Sequence, residues 1–223
     1  MNKPETSPSN ISRRKTAVRS ILDDRNAKKL NQWAEKARNP HRILTSFIFD
    51  NDPLICFRAA EAIGITAILS ARENMESVRR IIRRFFWMMN DESGNFCCYA
   101  PYAIGEIVRN VPKLIAEYGH LLPPFLVEEP FEKGTRLAIA RIAEIDKTCF
   151  SPTVTKKLIQ TLDDNSPDIR GSSIIALKAL NASDADDKIS SLVDDNTQIE
   201  LYDFNTGKLT RITVGEAAKS FSE

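Results

Sequence analysis

Histidine is scarce in this chain. Only His41 and His120 occur among 223 residues, and neither is followed by glutamate. Four cysteines, Cys56, Cys97, Cys98 and Cys149, fall in no metal-ligand pattern, so neither a zinc nor an iron centre is expected and no cofactor is implied. A serine or cysteine nucleophile has no histidine at any recognisable spacing. With 8 glycines against 42% apolar and 27% charged residues, the composition excludes collagen-like and disordered chains. No apolar run approaches the roughly 20 residues a bilayer needs, and the opening MNKPETSPSNISRRKTAVRS has no signal-like apolar stretch. The expectation is a cytoplasmic protein with no membrane partner and enough chain to bury its own core.

Net charge is also nearly absent, at +1, but it hides an asymmetry. Residues 1–89 carry 17 basic and 9 acidic side chains, and residues 90–223 carry 14 and 21. A chain polarised this way either offers a basic surface to an acidic partner at one end or screens one half with the other.

What is present is a repeat. Asp52-Pro-Leu-Ile-Cys-Phe-Arg-Ala-Ala-Glu-Ala-Ile-Gly64 recurs in degraded form as Ser93-Gly-Asn-Phe-Cys-Cys-Tyr-Ala-Pro-Tyr-Ala-Ile-Gly105. Further copies are Lys133-Gly-Thr-Arg-Leu-Ala-Ile-Ala-Arg-Ile-Ala143 and Ser166-Pro-Asp-Ile-Arg-Gly-Ser-Ser-Ile-Ile-Ala-Leu-Lys178. The mean step of about 38 residues suits a two-helix unit. Asn39-Pro40, Asp52-Pro53, Ser151-Pro152 and Ser166-Pro167 each place an oxygen acceptor at N-cap and a preset φ at N1. Apolar spacing then predicts helices near 12–22, 24–38, 40–50, 53–71, 74–90, 96–110, 112–120, 121–128, 130–146, 151–162, 167–181 and 184–193. Residues 1–11 read as a disordered tail.

The segment D-P-L-I-C-F-R-A-A-E-A-I-G resembles the HEAT-repeat motif D-P-x-V-R-x-x-A-A-x-A-L-G, as in phycobilisome-lyase-type HEAT-like proteins. The resemblance covers residues 40–193. It implies an all-α fold, an α-α superhelix of stacked helix pairs over residues 12–193, with a concave binding surface. Cys56 and Cys97 replace the usual motif arginine, which only Arg170 keeps. Lying in successive repeats about 8–10 Å apart at the helix axes, these cysteines are expected as free thiols, with one of Cys97 and Cys98 in the core and the other at a boundary.

Residues 194–223 depart from the repeat. Gln198–Tyr202 and Leu209–Val214 alternate as two strands of a β-hairpin, and Thr213 and Glu216 have capping-box spacing for a helix at 214–221. This unit reads as a terminal cap or as an edge strand for a partner.

The most distinctive surface lies on the helix at 74–90. Arg79, Arg80, Arg83 and Arg84 oppose the apolar stripe, and Trp87 points within about 40° of Arg83. Asp91 and Glu92 follow in the next loop, and Tyr99, Tyr102 and Glu106 on the next helix stand where a plain repeat carries small or charged residues. Arginine and aromatic side chains dominate interface energetics, which favours a non-catalytic scaffold or assembly factor holding a protein partner. Nucleic acid is the alternative partner. Trp87 and Asp91 share the four-residue spacing of the HEAT-like alkylpurine DNA glycosylases, beside the arginines. The resemblance to HEAT-type deoxyhypusine hydroxylases fails, because no His-Glu pairs are present. Oligomeric state stays open.

Overall fold

Proline stands first in five of the described α-helices, because its fixed φ suits the first helical position and its missing N–H would be unsatisfied there anyway. The computed structural model of the protein describes residues 8–90 and 97–220. In chain order the helices are α1 (Pro8–Asp23), α2 (Ala27–Lys36), α3 (Pro40–Phe47), α4 (Pro53–Glu73), α5 (Met75–Met89), α6 (Ala100–Asn110), α7 (Ile115–Tyr118), α8 (Glu132–Ala143), α9 (Pro152–Gln160), α10 (Pro167–Leu180) and α11 (Asp186–Ser190). Strands β1 (Gln198–Asp203) and β2 (Lys208–Thr213) and helix α12 (Val214–Lys219) complete an all-α fold with a small C-terminal hairpin.

Several expectations need correction at their edges. Helix α1 begins at Pro8, so residues 8–11 of the expected tail are helical; residues 1–7 lie outside the described residues. The two helices expected over 112–128 are instead three short 3-10 turns and the four-residue α7, since Pro112, Gly119, Pro123 and Pro124 interrupt any longer helix. Of the four acceptor-proline starts only Asp52 caps with its side chain, accepting from the Leu54 N–H; Asn39, Ser151 and Ser166 make no such bond. All four cysteines are free, with Cys97 buried and Cys98 exposed.

Helices α4, α6, α8 and α10 form an inner row in which each packs on the next. Outside this row α3 packs on α4, α5 on α4 and α6, and α9 on α10. The row is tight because its contact positions are small. A Cβ on Gly64 would stand 2.7 Å from the Glu106 carbonyl oxygen, and one on Gly105 would stand 2.7 Å from the Cα of Ala138. The recurring glycine of the motif is therefore where the next inner helix crosses. Ile63, Ile104 and Ile139, fully buried beside these crossings, each contribute about 2 kcal/mol of hydrophobic stabilisation.

Helix α4 bears on the membrane expectation. Its 21 residues are long and apolar enough, by length and composition alone, to cross a membrane. Here 61% of its most apolar window is buried inside the fold, against α3, α5 and α6. Arg58 and Glu61 interrupt the apolar run when read as sequence, and both are held by bonds inside the protein.

The hairpin pairs antiparallel from Gln198↔Thr213 to Asp203↔Lys208, and Thr213 and Glu216 form the expected capping box into α12. Its place was not foreseen. It lies across the inner row instead of covering one end. Ile199 fills the space over Gly171 of α10, Lys133 of α8 donates to the Glu200 carbonyl at 2.8 Å, and Tyr202 stacks on Phe57 of α4 at 4.8 Å. At the tip, Gly207 has φ +67°, and a Cβ there would strike the Arg25 side chain at 2.1 Å. Glycine meets both the left-handed backbone and the close approach.

The inner-row crossing gives a stability prediction. Gly105→Val drives a side chain into the α8 backbone and lowers unfolding free energy by about 2–3 kcal/mol in a urea titration. Gly119→Ala, whose Cβ meets only ordinary contacts at 3.7 Å and beyond, raises it by about 0.5 kcal/mol.

Candidate functional site

Two polar assemblies stand out, one beneath the hairpin and one on the outer helices. Beneath the hairpin, Glu61 sits in the apolar α4 with its side chain 9% exposed. Arg25, in the turn between α1 and α2, donates to it through Nε at 2.9 Å and Nη2 at 2.7 Å, a bidentate fork. The Tyr202 hydroxyl donates to the same carboxylate at 2.6 Å. Burial, and next the Glu61 charge, push the Tyr202 phenol well above its ordinary value. Arg25 also donates to the carbonyls of Phe204 and Asn205 in the hairpin loop, while Arg58 donates to Gly207 through Nη2 at 2.9 Å. Arg25 takes a left-handed backbone at φ 46°, uncommon for a side chain of this size, to aim its guanidinium there.

Next along the row, Arg141 of α8 pairs with Glu106 of α6 at 2.5 Å and with Glu144 at 2.7 Å, and its guanidinium lies 4.1 Å from the Phe204 ring centroid. Burial pushes the Glu106 carboxyl up from the ordinary range, against the pull of Arg141. The Tyr102 hydroxyl is buried among these groups without a hydrogen-bond partner among the described residues.

Tyr102 and Glu106 are therefore not on a partner surface, contrary to the sequence expectation. They are 1% and 2% exposed, because this face of α6 belongs to the inner row and the hairpin lies over it. Tyr99 is half-buried and meets Phe57 edge-on at 5.1 Å. Asp91 and Glu92 lie outside the described residues, so the Trp87/Asp91 pairing has no geometry here.

On the outside, Arg80, Arg83, Arg84 and Trp87 are all exposed along α5, Trp87 at 63%. The stripe is nonetheless divided. Arg79 is held by Glu117 through two bonds of 2.8 and 2.7 Å, and Arg83 by Glu76. Arg80 and Arg84, about one helix edge away, turn toward α3 and α4 and have no carboxylate within 4 Å among the described residues.

They open into a groove of about 710 Å³ between the α2–α3 turn, the end of α4 and α5. Arg38 and Arg72 line it from the other sides, equally without an ion pair among the described residues. His41, in the first turn of α3, forms part of the wall; its Nε2 is 2.8 Å from Ser70 Oγ, and its Nδ1 is buried with no partner among the described residues. Sequence reading missed Arg25, Glu61, Arg141 and this groove. The available signal was charge inside small-apolar helices, as in Arg-Ala-Ala-Glu-Ala and Ala-Arg-Ile-Ala, where a plain inner helix carries alanine.

Among the described residues no cluster of three or more His, Cys, Asp or Glu is arranged to hold a metal ion. The chain is 32% identical over 169 residues to an uncharacterized protein of Archaeoglobus fulgidus, covering 74% of this chain and 86% of that protein. It belongs to the family that this archaeal protein represents. No protein-family model and no solved structure matches the chain.

Two stability measurements check these assemblies. Arg25→Met leaves the Glu61 carboxylate buried without its guanidinium and costs about 3 kcal/mol in urea unfolding, of which Arg25→Met/Glu61→Gln recovers a part. Burial lowers the His41 imidazole from 6.5 to about 4, so the ring is neutral in the fold at pH 7. The unfolded chain binds that proton below its own, higher pKa. Stability is then lost as pH falls from about 6.5 toward 4 and levels off beneath, by up to about 3 kcal/mol, and His41→Gln removes this share of the pH dependence.

Proposed function

We propose that this chain is a non-catalytic HEAT-like α-solenoid that holds a protein partner on the outer face of α5. The motif spacing and the inner row α4–α6–α8–α10 with its outer helices support the solenoid reading. On this reading the inner, concave side is taken by the chain's own hairpin, which moves the contact region to the outside. The observation that carries the proposal is Trp87. It is a large aromatic 63% exposed on a fifteen-residue helix, flanked by the exposed Arg80, Arg83 and Arg84. Tryptophan and arginine at the centre of a desolvated patch are the side chains whose truncation costs an interface most.

The test is comparative capture from lysate of the native host with wild-type protein and Trp87→Ala, followed by binding measurements with the purified captured protein. Truncating Trp87 weakens binding by about tenfold or more, while Tyr102→Phe, at an inner position, leaves it unchanged. Equal affinity for wild type and Trp87→Ala overturns the proposal.

A further inference from the structure

The arginines of this fold differ in what they touch. Arg19, Arg25, Arg79, Arg83, Arg109, Arg141 and Arg170 each hold a carboxylate. Arg58 and Arg136 are bound by carbonyl oxygens, Arg136 also by Ser173 Oγ at 2.9 Å. Arg13, Arg38, Arg42, Arg72, Arg80 and Arg84 have no such partner among the described residues, and four of them, Arg38, Arg72, Arg80 and Arg84, come together in one groove. They reach it from three elements, the α2–α3 turn, α4 and α5. Four like charges sharing one concavity repel one another, and an anion in the groove relieves that repulsion.

Charge sets what kind of anion. Only Glu35 and Glu73 offset the four guanidiniums in the groove wall, and His41 is neutral at pH 7, leaving about +2. A phosphomonoester carries about −2 at that pH and offers three acceptor oxygens to planar guanidinium forks. The remaining wall mixes the hydroxyls of Thr66, Ser70 and Ser77 with apolar Ala34, Leu69 and Ile81. The amino end of α3 enters there through Asn39, Pro40 and His41; the Asn39 side chain makes no capping bond, while the Arg42 N–H donates to the Asn39 carbonyl at 3.2 Å. His41, a residue 8% exposed, closes the same wall. The volume is within the range of small-ligand sites.

We infer that the groove between the α2–α3 turn, α4 and α5 binds a phosphate dianion, with Arg38, Arg72, Arg80 and Arg84 as its anion ligands. The phosphoryl group arrives either as free orthophosphate or on a phosphorylated side chain. Arg80 and Arg84 border both this groove and the Trp87 face, but Arg38 and Arg72 lie off that face and the probes need no partner protein, so failure of one proposal is distinguishable from failure of the other.

Isothermal titration of the full chain with orthophosphate, with a phosphoserine hexapeptide, and with the same peptide carrying glutamate for phosphoserine tests it. Phosphoryl binding with one-to-one stoichiometry is expected, weakened at least about tenfold in Arg38→Ala/Arg72→Ala and unchanged in Arg42→Ala and Trp87→Ala. All four arginines are exposed and have no ion pair among the described residues, so the double variant keeps the wild-type circular dichroism and melting curve; the single Arg72→Gln is a second, milder variant, with a smaller loss. Equal affinity for orthophosphate and phosphopeptide assigns the site to free phosphate, and tighter phosphopeptide binding assigns it to a phosphorylated side chain. Three results overturn the inference: no binding of either phosphoryl probe, equal binding of the glutamate peptide, or binding unaffected by both variants. Much tighter binding of a short single-stranded DNA that falls steeply with salt also overturns it, in favour of a nucleic-acid surface.

Discussion

A carboxylate in the middle of an apolar helix is costly unless its charge is answered inside the protein, and Glu61 is that carboxylate. Its answer comes from two distant places: Arg25, thirty-six residues before it, and Tyr202, one hundred and forty-one residues after it. Arg25 in turn binds the hairpin loop that carries Tyr202. One buried charge thus ties the first turn of the described chain to nearly the last. The left-handed backbone at Arg25 and the glycine at 207 are the local costs of bringing those groups together.

The same economy of charge explains why the outer arginines differ from the inner ones. Wherever a guanidinium is taken into the fold it is given a carboxylate or carbonyls; Arg136 and Arg141 make two or three such bonds each. On α5 the rule changes along a single helix. Arg79 and Arg83 lean toward α7 and the start of their own helix, where Glu117 and Glu76 meet them. Arg80 and Arg84 lean the other way, into a groove with a surplus of positive charge. The tryptophan between the two sets belongs to neither and faces solvent.

Local signals in the chain were sufficient for the elements. Proline at N1 marked the starts of α3, α4, α9 and α10, alternation and a capping box marked the hairpin and α12, and the small-apolar motif marked the inner helices. Where punctuation was dense, at Pro112, Gly119, Pro123 and Pro124, the segment broke into shorter turns than periodicity indicated. The site was less legible, for a physical reason. Which face of α6 is buried depends on the hairpin laid over it from a hundred residues later, so Tyr102 and Glu106 read as available when they are enclosed. The groove likewise collects Arg38, Arg72, Arg80 and Arg84 from three separate elements, and no spacing rule links a turn residue to two helices. Trp87 and its arginines were legible because a single exposed helix face is a property of one segment alone.

A row of helices packed each upon the next has no intrinsic length, since one more pair could in principle be added by duplication at any point between the first and the last. The hairpin removes that freedom. It leaves α10, passes over α8 and α6, and must still deliver Tyr202 and Gly207 to Glu61, Arg25 and Arg58 at the other end. Its reach equals the width of this row, so an inserted pair would draw Tyr202 off Glu61 and a deleted one would leave the loop overhanging. The C-terminal strap works as a ruler, fixing the number of inner helices that evolution can place beneath it.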